Sequence, residues 1–157
     1  LKPGIGSRIF VDDGSPLKDM NMALDVDEAL EIIRYNKRVA IVGLSPRPDR
    51  PSFQVAQFLL QKGFSIIPVN PAHKKILDQT GVASLADLEP DDVDWVDFFV
   101  GPGRLPDFAN DIIRLSPKLV WCQIGVVNPR FNQRLENARI PFIADVCPKM
   151  EWKENWP

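Results

Sequence analysis

One histidine and two cysteines in 157 residues leave little from which to build a metal centre. The two thiols, Cys122 and Cys147, have neither the close spacing of a zinc site nor the numbers of a disulfide framework. Reduced thiols in a cytoplasmic protein are therefore expected. No apolar run approaches the roughly 20 residues that span a bilayer, and the first residues, with Asp12, Asp13 and Gly14, hold no secretory hydrophobic stretch. An excess of one charge is missing too. With 19 basic and 21 acidic residues the net charge is −2, so nothing draws the chain to nucleic acid or to an anionic membrane at long range, and any anion site must be local. The Gly-x-Gly-x-x-Gly turn of a dinucleotide dehydrogenase and the Gly-x-x-x-x-Gly-Lys-Ser/Thr loop of a P-loop NTPase are both absent. Catalytic sets are equally scarce. No Ser/His/Asp triad assembles around a lone His73, which reads as a solvated loop residue, and Asp91, Asp92 and Asp94 read as a solvated turn before a strand.

The chain has a 45% hydrophobic content, enough for one well-filled domain. Residues 1–24 are polar and turn-rich and read as an N-terminal arm, leaving 25–157 as the folded domain. Within it, Asp25 to Asn36 is amphipathic, with Val26, Ala29, Leu30 and Ile33 on one face, and predicts a helix. Arg38 to Val42 is apolar and β-branched without polar alternation, as in a strand covered on both faces. Helical spacing returns from about Ser52 to Gln61 and ends at Gly63. Further strands are expected at Phe64 to Val69, Trp95 to Val100, Leu119 to Gln123 and Pro141 to Ala144. Helices are expected over Leu105 to Leu115 and from Asn128-Pro129 to about Asn137, with short pieces at Lys74 to Asp78 and Ser84 to Leu88. Strands alternating with helices predict an α/β fold, a Rossmann-like doubly wound parallel sheet of about five strands in a single domain. In the 3-2-1-4-5 order the first and fourth strands are neighbours, and a ligand is expected beyond their carboxyl ends.

Those two strand ends carry the informative residues. Gly43 breaks the first strand, and the turn Leu44-Ser45-Pro46-Arg47-Pro48-Asp49-Arg50-Pro51-Ser52 leads into a helix. Such a turn aims unpaired N–H groups and a positive helix end at its contents, and Arg47 and Arg50 add charge suited to phosphate. The fourth strand runs out in Trp121-Cys122-Gln123-Ile124-Gly125-Val126, where Trp121 and Cys122 read as core. An acidic residue to hold a ribose does not end the second strand; Asn70 stands there, which argues against NAD.

Taken together, Val42 to Pro48, Ile67-Pro68-Val69-Asn70-Pro71, Val120 to Gly125 and Asp145-Val146-Cys147-Pro148-Lys149 resemble the small single-domain CoA-binding proteins. These are relatives of the CoA-binding domain of the succinyl-CoA synthetase alpha subunit and of acyl-CoA synthetases, and the resemblance runs from about Val26 to Glu151. It implies CoA across the carboxyl edge of the sheet. The Gly43–Ser52 turn would hold phosphates through Ser45, Arg47 and Ser52. Asn70, Pro71, His73 and Lys74 would flank the nucleotide end. The pantetheine arm would pass Phe99, Val100 and Pro102 toward Gln123 and Gly125. Val100 and Val146 depart from the family pattern, in which arginines are frequent at both places. The synthetases pass phosphate through a histidine in a separate domain, so the function expected is a non-catalytic CoA or acyl-CoA binding protein. A link to the redox state of the CoA thiol enters through Cys147, beside which the Lys149 ammonium favours thiolate if it folds back. The rival readings are a CoA-binding subunit of an acyl-CoA synthetase and an NAD(P)-binding redox regulator. Partner classes left open are a second copy of the chain, giving a homo-oligomer, and a synthetase that brings the missing domain.

Overall fold

A computed structural model describes residues 21–153. Helix α1 (Val26–Arg34) starts on a capping box in which the Asp25 carboxylate accepts from the Glu28 N–H at 2.8 Å and Glu28 accepts from the Asp25 N–H at 3.0 Å. It leads into β1 (Arg38–Val42), then α2 (Pro51–Gln61) and β2 (Ser65–Val69). Pro51 opens α2 with its φ already helical and no N–H to satisfy. Gly63 closes it in a Schellman arrangement, with the Phe64 N–H on the Leu59 carbonyl and the Gly63 N–H on that of Leu60.

A two-residue hairpin follows, β3 (Lys75–Ile76) with β4 (Gln79–Thr80). The chain then returns to the main sheet as β5 (Trp95–Phe98), β6 (Leu119–Cys122) and β7 (Phe142–Ile143), joined by α3 (Ala109–Leu115) and α4 (Pro129–Asn137) and followed by α5 (Pro148–Glu151). The single helix expected over Leu105 to Leu115 is instead a 3-10 turn, Pro102–Phe108, running into α3. Pro106 accounts for this, since it has no N–H for a helical bond. The apolar stripe survives, with Leu105, Ala109 and Ile112 buried.

The five main strands are parallel and ordered β2-β1-β5-β6-β7, in a Rossmann-like doubly wound sheet. This corrects the 3-2-1-4-5 expectation. The third main strand, β5, inserts between the first and the fourth, so Val42 pairs with Phe98 and Phe98 with Cys122. The chain leaves β1 toward one side for β2 and recrosses it to reach β5. The reversal therefore lies between β1 and β5, where crevices of such sheets open.

Alternate strand residues feed two cores. Val39, Ile41, Trp95, Trp121 and Ile143 pack under α1 and α2, and Ala40, Val42, Val96, Phe98 and Val120 pack under α3 and α4. Residues just before α1, expected to belong to the arm, join this core. Met22 and Leu24 are buried on opposite faces, and hydrogen bonds of 2.8 Å from Leu24 N–H to Phe142 C=O and from Phe142 N–H to Met22 C=O cover the open edge of β7. The remainder of the proposed arm, 1–20, lies outside the described residues. Among the described residues no helix is long and apolar enough to cross a membrane.

Candidate functional site

The carboxyl edge of β1, β5 and β6 opens into a cavity of about 910 Å³, toward the upper end for cofactor clefts. Its first wall is the turn after β1. Gly43 has φ +84° and passes so close to the chain after β5 that a Cβ there would lie 2.2 Å from the Phe99 carbonyl oxygen. Leu44 is buried below the turn, and its carbonyl accepts from the Asn70 amide at 2.9 Å. Ser52, at the start of α2, is 5% exposed, and its Oγ accepts from the Ser45 N–H at 3.0 Å. Ser45 Oγ in turn accepts from the Arg47 N–H at 3.1 Å. Two serines thus staple the turn, spending N–H groups that the sequence counted as free for a ligand.

What remains for a ligand, besides the N–H groups of Leu44 and Asp49, is the helix start. Arg50 is the N-cap of α2 and supplies no side-chain cap, so the N–H groups of Ser52 and Phe53, in the first turn, have no protein partner among the described residues. Arg47 and Arg50 line the cavity beside them, both exposed. Positive charge and unpaired donors coincide there, as anion capture requires.

Phe99 and Val100 after β5, and Gln123, Ile124 and Val126 after β6, form the floor and second wall. Cys147, Lys149 and Met150 at the start of α5 form the third. Gly125, with φ +79°, lies just outside this lining; its N–H donates to the Asp145 carboxylate at 2.8 Å and ties the turn after β6 to the approach to α5. Asn70, Pro71 and His73 do not line the cavity. Asn70 steadies the turn from behind, its Oδ1 accepting from the N–H groups of Ala72 at 2.7 Å and His73 at 3.1 Å. Pro71 and His73 are exposed beyond it. Val146 packs into the core and its carbonyl accepts from the Trp121 indole at 2.8 Å, so Trp121 is held as a core residue, as its sequence suggested.

Sequence reasoning passed over one group. Asp97, in the middle of β5, is completely buried; one carboxylate oxygen accepts from the Gln123 amide at 2.6 Å and the other has no partner among the described residues. Burial pushes its pKa up to about 7 against the pull of the Gln123 hydrogen bond. The signal was a charged residue inside Trp95-Val96-Asp97-Phe98-Phe99, a run otherwise fit only for a covered strand. Cys122, on the neighbouring strand, has its thiol pushed up to about 12 by burial and then by the Asp97 charge, which makes it inert as a nucleophile. Ile124, Val126, Lys149 and Met150 were also unremarked as lining residues, because only the topology brings the start of α5 to β6. Asp94, by contrast, belongs to the fold: burial pushes its pKa up, but a 2.9 Å bridge to Arg38 outweighs this and holds it below the ordinary value.

Residues 37–153 match the family described as CoA binding domain. The chain is 36% identical over 123 residues to an uncharacterized protein of Bacillus subtilis, YneT, covering 78% of this chain and 90% of that one. A stretch of 75 residues is 42% identical to an ADP-forming acetate–CoA ligase of Archaeoglobus fulgidus, 46% of this chain but 11% of the ligase. A solved structure from Thermus thermophilus, 35% identical, superposes with a TM-score of 0.75 over 82% of this chain and 96% of that one.

Proposed function

The chain belongs to the family of CoA binding domains, and from that premise we propose that it binds CoA or an acyl-CoA in the cavity at the carboxyl edge of its sheet and holds it without turning it over. The observation that carries this reading is the polarity of the cavity. One wall has two arginines and the uncapped start of α2, the floor has Phe99, Val100 and Val126 beside the Gln123 amide, and a third wall has a thiol. CoA has matching chemistry: phosphates, an apolar arm broken by amides, a thiol. In this reading Arg47, Arg50 and the unpaired N–H of Ser52 hold phosphate, on a turn shaped by Gly43 and Leu44 and stapled by the Ser45 and Ser52 side chains. Asn70, Pro71 and His73 flank the nucleotide, and the arm passes Val100 to reach Gln123 and Gly125. Calorimetric titration with CoA, acetyl-CoA, NAD and NADP tests it. Saturable binding of the CoA compounds alone supports the reading, and preference for a dinucleotide replaces it with the redox-regulator reading.

The finer part of the proposal concerns Cys147. Under oxidation its thiol and that of bound CoA form a mixed disulfide: one S–S bond replaces two S–H bonds, with two electrons and two protons passing to an oxidant such as a small-molecule disulfide. Intact mass after treatment of the CoA complex with oxidised glutathione reads the adduct. Loss of the adduct in Cys147→Ser supports the step, and its persistence there rejects it. The likeness to the Archaeoglobus ligase favours a second reading, a CoA-binding subunit for an acyl-CoA synthetase whose partner supplies the phosphate-carrying histidine. Nucleotide-dependent acyl-CoA formation by a mixture of this chain with such a partner would establish it over the non-catalytic one.

A further inference from the structure

Gln123 is a side-chain amide at the cavity floor, 5% exposed, and what it shows the ligand is decided from below. An ionised carboxylate only accepts, so the Gln123 atom 2.6 Å from Asp97 Oδ1 must be its amide nitrogen. Its Oε1 then has no partner among the described residues and is not sealed from the cavity. We propose that Asp97 is a positioning residue acting through Gln123: ionised, it turns the Gln123 amide so that an acceptor oxygen meets an N–H of the pantetheine arm, and on taking up a proton it turns the amide over. This rests on the reading of the cavity as a CoA site.

The reversal follows from donor counting. A protonated Asp97 carries an O–H: on the oxygen that faces the Gln123 nitrogen it sets donor against donor, and on the other oxygen, which has no partner among the described residues, it stays buried without an acceptor. Half a turn of the amide changes the side chain's shape very little and lets Oε1 accept from the acid. The nitrogen then faces the cavity and opposes the ligand's N–H. No other charge takes over the role of Asp97. Across the sheet face it shares with Gln123, α2 has no titratable residue after its Arg50 cap, and the acidic and basic residues of α1 (Asp27, Glu28, Glu31, Arg34) are all exposed or half-exposed. Arg38 of β1 is exposed at the opposite end of its strand, Cys122 of β6 is held neutral, and Cys147, Lys149 and Glu151 stand on or beyond the cavity's far wall. Burial places the proton exchange of Asp97 near neutrality.

The test compares unmodified chain with Asp97→Asn, whose side chain does not titrate. Dissociation constants are measured by calorimetry between about pH 5.5 and about pH 8.5, for CoA and for adenosine 3′-phosphate 5′-diphosphate, which has the nucleotide end and no arm. Titration of the ligand's own phosphates is common to both proteins and drops out of the variant-to-unmodified ratio. For CoA that ratio should rise by about five- to tenfold across the range, and for the nucleotide it should stay flat. A flat ratio for CoA overturns the proposal, as does an equal rise for the nucleotide, which would make Asp97 merely structural. Absence of CoA binding by the unmodified chain at every pH overturns the CoA reading and this inference with it. Nuclear magnetic resonance on the unmodified chain gives a reading independent of the variant's folding. The Gln123 side-chain NH₂ resonances should move with the same midpoint as the Asp97 carboxyl carbon, and an unmoved amide rejects the mechanism.

Discussion

Arg47 and Asp49 pair at 3.2 Å with side chains 62% and 66% exposed, a geometry worth little to the fold. Removing either cavity arginine should therefore leave stability unchanged and act on the ligand alone. For Arg47→Ala or Arg50→Ala the expected loss in CoA affinity is about 1.5–3 kcal/mol, roughly ten- to hundredfold in Kd by calorimetry. Unchanged constants in both variants would remove these residues from the site. Asp97 has the opposite profile, acting on the fold as well. Its acid is ordinary in the unfolded chain, at 3.8, and about 7 in the folded one. The folded state thus holds the proton more tightly, so the stability this gives is complete below about pH 4 and is lost as the pH rises toward 7. Three units correspond to about 4 kcal/mol. Urea midpoints of Asp97→Asn should lack that decline, and a variant that declines in parallel with the unmodified chain would contradict it. At this scale the sequence was half legible. Gly43, Arg47, Arg50, Ser52 and Cys147 were visible because each interrupts or ends a pattern. The staple between Ser45 and Ser52 was not, because a hydroxyl free to meet phosphate and one already engaged look identical in a sequence.

Elements were legible where their signals are local. Helix limits read at Asp25, about Ser52 and Gly63 fall where the structure has them, within a residue or so, because caps act within a few residues; the Asp25–Glu28 box and Pro51 at the start of α2 are the devices behind two of them. The β3–β4 hairpin is a weaker case. Its two turn residues, Leu77 and Asp78, have φ of 54° and 60°, the left-handed pair of a type I′ turn, in which glycine is favoured and leucine is not. Half-buried Leu77 is kept there by packing against the α1–α2 core, so the tertiary contact overrides the turn preference. Asp78 is exposed and has no such contact. Asp78→Gly should relieve the left-handed strain and raise stability by about 0.5–1 kcal/mol in chemical denaturation, net of the glycine's added freedom in the unfolded chain. A loss of stability would show that the aspartate side chain supports the turn.

Strand order was the feature no local signal could give. The composition of β1, β5 and β6 is alike, apolar and covered apart from Arg38 and Asp97, so the sequence says that a parallel sheet forms but not on which side of β1 the chain re-enters. The choice decides the site, because only the observed order brings Phe99 and Val100 against Gly43 and puts Gln123 one strand further along. Turns after the three middle strands and the start of α5 then line one cavity, so that a ligand filling it touches segments far apart in the chain. Such a ligand binds the folded state and not the unfolded one, and must raise the unfolding temperature by mass action. At about one hundred times its dissociation constant CoA should add about 2.7 kcal/mol, a rise of roughly 5–10 °C for a chain of this size. At the same CoA concentration Arg47→Ala should show a smaller rise from the same ligand-free midpoint, since its ion pair with Asp49 contributes little, while NAD should produce none in either protein. An equal rise with NAD would mean that the cavity reads adenine and phosphate without regard to the arm, and would leave Gln123 no part in ligand choice.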